Sequence, residues 1–415
     1  MQCAVVLAAT TTLGAAQGAE PAFDPAALAR ELQTEVAELR GLAFERDVPV
    51  EVIDDEAAGR HLLGRVHAFQ SADELDRAEL AFRALGLLPP RYDVVGAFLD
   101  VMREQAAGYY DPTTGAFYLL YDVPDTSARV VMVHELTHAL EDQHFDLDAR
   151  LREVLDDDDR LVARSAIHEG SATLLMLAYL TRKLLAGEIG AEALAGFQEM
   201  STTHALGALP ETLQRQLVVP YLLGAAFLAR GNALAGGRGE FPAADVDRAY
   251  RDPPASSEQI LHPDKYWSAE RSDAPREVEL GDSGAALGAG FERTATGVLG
   301  ELGLGPLVGA PTPSDLGDVR SQDGARWTND AAAGWGGDRW ELWQRGNSTV
   351  VLLLTVWDTE ADAGEFLAGL RAHTRFSARR ERDRVAVVAG AKHKRAQQAL
   401  ARLLAAGLEP GPAGR

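Results

Sequence analysis

Residues 131–144 read VMVHELTHALEDQH, and His134, Glu135 and His138 within them stand in the H-E-x-x-H arrangement. On a helix His134 and His138 project from one face one turn apart, so a nitrogen of each can meet a single Zn2+ at about 2.0–2.1 Å. Neutral imidazoles leave the ion its full charge, which draws the pKa of a bound water down toward about 7. Glu135, beside the pair, can take that water's proton as it attacks a polarised carbonyl. The chemistry is metal-assisted hydrolysis with Glu135 as general base. Val130, Val131, Val133, Leu136 and Leu140 lay the same helix on a core, a context that an incidental match on a polar surface helix would lack.

A catalytic zinc needs a third protein ligand and an open position. Residues 163–176, ARSAIHEGSATLLM, place Glu169 in an otherwise apolar, small-residue helix. A buried carboxylate there is costly unless it meets a cation, so Glu169 is the expected third ligand. Its separation from His138 (169 − 138 = 31 residues) allows a helix, a loop and a returning antiparallel helix. His168 and His144 are the rivals. Asp142, four residues after His138, is placed either to accept the free imidazole N–H or to be a solvated helix-end charge. The developing oxyanion also needs a donor. His262, in SSEQILHPDKY at a helix end, is the first candidate and Tyr266 the second. The alternative for His262 is a surface cap of a helix C-terminus. Tyr109, Tyr110, Phe117 and Tyr118 could form an edge strand that holds a peptide by main-chain pairing, or simply belong to the core.

With these residues the chain resembles the gluzincins, the thermolysin-like zinc metallopeptidases that pair an H-E-x-x-H helix with a glutamate on a following helix. The matching positions are His134, Glu135, His138 and Glu169. AGYYDPTTGAFYL, HALEDQHFDL, HEGSAT, PPASSEQILHPDKY and GWGGDRW are similar to blocks of an uncharacterised bacterial metallopeptidase-like family, spread over residues 35–390. The resemblance implies a zincin-like fold, a peptidase activity, Zn2+ as cofactor and a peptide or protein substrate. It departs at Thr173, four residues after Glu169, where an aspartate usually orients the first histidine.

The elements that must position these residues follow from periodicity. Helices are predicted over 24–40, 54–69, 72–85, a stretch ending near Met102, 126–144, 161–185, 191–200 and 210–234, with strands at 48–53, 108–110 and 116–122. The acidic run at 156–159 reads as a solvated connection. After residue 313 the pattern becomes strand (339–344), strand (350–357), helix (359–372), strand (384–388) and helix (397–404). The predicted fold class is α+β: a mainly helical zincin-like core with a β-hairpin, followed by a small C-terminal α+β sandwich. Residues 1–19 form an expected signal segment, 20–90 an N-terminal α+β leader and 91–280 the zinc-binding domain. A linker at 281–326 and a C-terminal domain at 327–410 complete the division.

At 415 residues, 46% hydrophobic and 25% charged, the chain is long enough for two or three domains with sizeable cores. A net charge of −22 disfavours nucleic acid as a partner. The lone cysteine, Cys3, forms no internal disulfide or thiolate site, so a metal must use imidazoles and carboxylates. No apolar run in the body is long enough to span a membrane. The opening MQCAVVLAATTTLGAAQGAEPA lacks a basic start but otherwise reads as a secretory signal, which implies a periplasmic or secreted protein. GWGGDRW lacks the phosphate-cradle spacings and reads as a turn entering a strand. Residues 371–395 carry nine Lys/Arg against two acids, read as a solvated face or a partner for the acidic body. The sequence thus points to a zinc-dependent peptidase. A zinc hydrolase acting on a non-peptide amide, or a silent zinc-containing peptide-binding protein, are the alternatives, and the oligomeric state is open.

Overall fold

The computed structural model describes residues 23–105, 107–120, 125–190, 204–230, 239–315, 319–371 and 374–405. The expected signal segment at 1–19 and the helix predicted at 191–200 lie outside them. The fold is α+β, with a mainly helical body and two sheets.

The leader forms as its caps dictate. Helix α1 (Pro25–Arg40) starts where the Asp24 carboxylate accepts the N–H groups of Ala26 and Ala27, and ends at Gly41 with φ 75°. Asp54 caps α2 (Asp55–Phe69), and Ser71 with Glu74 makes a capping box at the start of α3 (Ala72–Leu85). Strand β1 (Val50–Ile53) runs between α1 and α2, and α4 (Val94–Gln105) leads into the hairpin of β2 (Gly108–Asp111) and β3 (Ala116–Leu120). The sheet order is β1-β3-β2, with β1 parallel and β2 antiparallel to β3.

Helix α5 (Asp125–Phe145) carries the H-E-x-x-H residues; α6 (Leu147–Arg152) and α7 (Asp158–Leu185) follow. The body continues with α8 (His204–Ala208), α9 (Glu211–Leu228), α10 (Ala243–Arg251), α11 (Ser257–Leu261) and α12 (Asp264–Trp267). The acidic run is not the solvated connection that its charge suggested. Asp157 caps α7 through the Arg160 N–H, and Asp159, 1% exposed, accepts the Ser257 N–H at 3.1 Å with both oxygens. Acids at a helix start complement its unpaired N–H groups, which is why Asp157, Asp158 and Asp159 can be drawn inward while Asp156 stays exposed.

The C-terminal unit is a five-stranded antiparallel sheet in the order β4-β5-β6-β8-β7. Its strands are β4 (Glu292–Gly297), β5 (Trp335–Arg345), β6 (Ser348–Trp357), β7 (Phe376–Glu381) and β8 (Arg384–Ala389). Helices α13 (Gly300–Leu304), α14 (Glu360–Leu370) and α15 (His393–Ala405) complete it. Alternate residues of β6 and β8 serve opposite faces: Leu352, Leu354 and Val388 pack with Leu400 and Leu403 of α15, while Val351, Leu353 and Val387 join Phe366 and Phe82. One expectation needs correction: the segment 281–326 is not a linker, since β4 within it pairs with β5 and α13 is buried. The C-terminal sheet packs on the body: Phe82 of α3 meets the Trp340 ring edge-on at 6.4 Å, so body and sheet share one core. GWGGDRW does enter a strand through a turn, with Gly334 at φ 76°. The basic stretch lies largely on β7, β8 and the start of α15, with Arg379 and Arg380 exposed on the edge strand β7, where charge discourages further pairing. The Arg380 guanidinium donates to the carbonyl of Glu360.

Candidate metal centre

Helix α5 is buried from Val130 to Glu141; Val131, Val133, Leu136 and Leu140 are at most 1% exposed. Its polar residues must therefore find partners inside the protein. Helix α7 packs against it, as the spacing of Glu169 allowed. The far side of α7 meets α9 with unusual closeness, because Gly170 and Gly224 face each other. A Cβ on Gly170 would lie 2.3 Å from the Gly224 carbonyl carbon, and one on Gly224 would lie 2.1 Å from the Ala166 oxygen. Only glycine allows that backbone approach.

Three ligand-type atoms converge. His134 Nε2 and His138 Nε2 are 3.1 Å apart, and Glu169 Oε2 stands 3.2 Å from the first and 3.4 Å from the second. Ligands held tetrahedrally at about 2.0–2.1 Å lie about 3.3–3.4 Å from one another, so this triangle matches a zinc ion in size. All three residues are 1–2% exposed. Burial opposes ionisation of Glu169, but the charge and hydrogen bonds of the two histidines outweigh it and hold the carboxyl at about 2. Such a carboxylate needs positive charge beside it; among the described residues no lysine or arginine pairs with it, so that charge comes from the imidazoles or from an ion. The donor set, two imidazoles and one carboxylate, suits zinc.

Glu135 is 1% exposed, and burial pushes its carboxyl up to about 8 against the lowering effects of His134 and the Tyr110 N–H. That N–H donates to Glu135 Oε2 at 2.8 Å, while Oε1 is buried without a hydrogen-bond partner. The edge-strand expectation is corrected in part. Phe117 and Tyr118 lie on the central strand β3, and only Tyr109 and Tyr110 lie on the edge strand β2, whose main chain faces Glu135 through Tyr110.

The rivals for the third ligand point elsewhere. His144 Nε2 donates to the Ala43 carbonyl at 2.8 Å. His168 is buried on the neighbouring face of α7 and stacks on Tyr250 at 5.6 Å; burial drives its pKa down to about 3 and keeps it neutral. Asp142 does not orient His138. It accepts the Tyr110 hydroxyl at 2.9 Å and the Leu147 N–H at 3.0 Å, because it sits where α5 must turn into α6. The Nδ1 atoms of His134 and His138 and the Thr173 hydroxyl are buried without hydrogen-bond partners.

His262 and Tyr266 are not at the centre. His262 Nε2 bonds to both oxygens of Glu301, at 3.1 and 3.0 Å, and the Tyr266 hydroxyl donates to the Asp252 carbonyl at 2.5 Å. The charges that act on His262 are Glu301, Glu258 and Lys265, none of them in the metal cluster. A helix end and a proline placed His262 in the right kind of segment, but the segment turns toward the C-terminal sheet.

Sequence reasoning missed Tyr221. It lies on α9 one turn before Gly224, and its ring stacks on His134 with centroids 5.9 Å apart at 16°. Its hydroxyl is buried, and burial, the charges of Glu169 and Glu135 and a hydrogen-bonding contact with Glu169 together hold its pKa well above 10. The signal that could have found it is the pairing of HEGSA on α7 with YLLGAA on α9, two small-residue stretches suited to close helix contact.

Residues 289–402 match the family described as Domain of unknown function (DUF8575). That match covers the C-terminal sheet and leaves the metal cluster outside. No curated protein and no solved structure matches the chain.

Proposed function

We propose that the protein is a zinc-dependent hydrolase that cleaves peptide bonds. The observation that carries this reading is the triangle of His134 Nε2, His138 Nε2 and Glu169 Oε2, with sides of 3.1–3.4 Å and, among the described residues, no lysine or arginine bonded to it. His134, His138 and Glu169 would hold the ion, which when bound would acidify a water and polarise a carbonyl.

The remaining chemistry belongs to the chain. Glu135 accepts the proton of the attacking water, with Oε2 held by the Tyr110 N–H and Oε1 free to receive it. Tyr221 donates to the oxygen that gains charge, since its buried hydroxyl stays protonated and lies near Glu169 and Glu135. The edge strand β2, whose Tyr110 amide points at Glu135, supports an extended peptide as substrate, because such a strand can pair with it next to the base. Glu135, with Oε1 left free, favours turnover over a silent zinc site, which would need no base.

The test is metal content followed by digestion of casein or a peptide library. Wild type is expected to hold about one equivalent of zinc and to cut; His134→Ala is expected to do neither. A wild type that takes up no zinc, or a His134→Ala variant that digests as well as wild type, would sink the proposal.

A further inference from the structure

Glu141 lies three residues beyond His138 on α5, and Ser171 two beyond Glu169 on α7, so this pair extends the seam that holds the ligands. Glu141 is fully buried. Its Oε1 accepts from the Arg40 Nε and the Ser171 hydroxyl, each at 2.6 Å, and its Oε2 accepts from the Tyr250 hydroxyl at 2.8 Å. Arg40 is the last residue of α1 and only 1% exposed; its second contact is Asp247 at 2.7 Å. Burial works against the Arg40 charge, but Glu141 and Asp247 outweigh it and raise its pKa. Tyr250 and Asp247 belong to α10, and the Tyr250 ring stacks on His168, the neighbour of Glu169. One carboxylate thus joins α1, α5, α7 and α10 next to the ligands.

We infer that this clamp sets the position of His138 against Glu169, and that the leader is a permanent part of the metal centre rather than a removable pro-segment. The inference rests on the zinc reading. Without Arg40 the buried Glu141 charge loses its main counter-ion, and the seam must open to water or shift. Either change moves Glu169 relative to His138, now 3.4 Å apart at their ligand atoms. Other contacts tie down the same segment. Glu31 pairs with Arg129 and Glu35 with Lys183, both at 2.9 Å, Gln143 accepts the N–H groups of Glu45 and Arg46, and β1 lies along β3. Departure of the leader would expose that strand and strand the Glu141 charge. Arg40 is therefore a positioning residue that touches neither metal nor substrate.

The experiment uses the full chain with a protease site inserted into the exposed stretch at residues 45–47, together with Arg40→Met, Arg40→Lys and the surface control Arg60→Met. After cleavage under native conditions the piece bearing α1 should co-elute with the remainder and zinc should stay bound. In chelator competition Arg40→Met should lower zinc affinity about tenfold or more, as loss of outer partners of a metal site does. Arg40→Lys should recover part of that loss, and Arg60→Met should match wild type. The idea is overturned if the α1 piece leaves while the remainder keeps wild-type zinc affinity, or if a folded Arg40→Met binds zinc like wild type. Should Arg40→Met fail to fold, the cleaved protein decides. If uncut wild type takes up no zinc, the hydrolase reading fails, and retention of the α1 piece still tests the leader's attachment.

Discussion

His134, His138 and Glu169 in one place, and Glu258, Asp273 and Asp358 in another, each bring three ligand-type atoms within 4.8 Å of one another. In the second group the cation is already present: Lys265 Nζ lies 2.7 Å from Glu258, 2.7 Å from Asp273 and 3.0 Å from Asp358. In the first, imidazole and carboxylate atoms face one another, and among the described residues no ammonium or guanidinium is bonded to them. The difference teaches that convergence of ligand types is not itself a metal site: in the second group a lysine already occupies the place an ion would fill. The histidines differ in the same way. His262 spends its Nε2 on Glu301, whereas His134 and His138 aim theirs at a common point.

The largest expected effect tests that difference directly. Glu169→Ala should weaken zinc binding more than about 100-fold, beyond the range typical for outer partners of a site. Asp358→Ala should leave the bound zinc unchanged, because it removes one partner of Lys265 and no ligand. Equal loss in both variants, read by chelator competition, would mean that the two clusters are not distinguished as argued. Next in size is Glu135→Gln, which spares the ligands and removes the base. Zinc should stay near one equivalent while hydrolysis falls by about 10²–10⁴. Undiminished turnover would remove Glu135 from the reaction.

Tyr221→Phe should reduce kcat by about 10²–10³ with zinc retained, since it deletes one donor to a developing oxyanion. His262→Ala and Tyr266→Phe should keep nearly full turnover, their polar atoms being committed to Glu301 and Asp252. The reverse result would return the donor to the segment after α11.

What could be read in advance was the part governed by local rules. The H-E-x-x-H helix, the capped helices of the leader and the central strands β6 and β8 all carry dense apolar periodicity, and each lies in a core. The missed strands β4, ERTATG, and β7, FSARRE, are both sheet edges, where one side faces water and the apolar signal is thin. Glu169 was legible because a lone carboxylate in an apolar helix demands a partner. Tyr221 was not, because a tyrosine in an apolar helix is ordinary; only the contact of Gly170 with Gly224, separated by 54 residues (224 − 170), brings it to His134. His262 was misplaced for the same reason, since its partner Glu301 lies in a segment read as linker. Asp142 satisfied the spacing for an imidazole partner, but the Leu147 N–H at the turn into α6 and the Tyr110 hydroxyl of β2 claimed its two oxygens first.

The smallest effect concerns the histidine that is already paired. Burial opposes the His262 cation, but the hydrogen bond and charge of Glu301, with Glu258 beyond it, prevail over burial and the repulsion of Lys265, so its pKa is raised in the folded protein. A histidine whose folded value exceeds its unfolded value contributes its full stabilisation below the unfolded value of about 6.5. The contribution is lost as pH rises through the raised folded value, where both states release the proton. His262→Gln keeps a donor for Glu301 but cannot titrate. Wild type should therefore lose Tm relative to His262→Gln on going from pH 6 to pH 8.5, by on the order of 1–3 °C for a chain of this size. A difference that stays flat across that range, or grows in the opposite direction, would show that Glu301 does not hold an imidazolium, and that the second region lacks the balanced charge that sets it apart from the first.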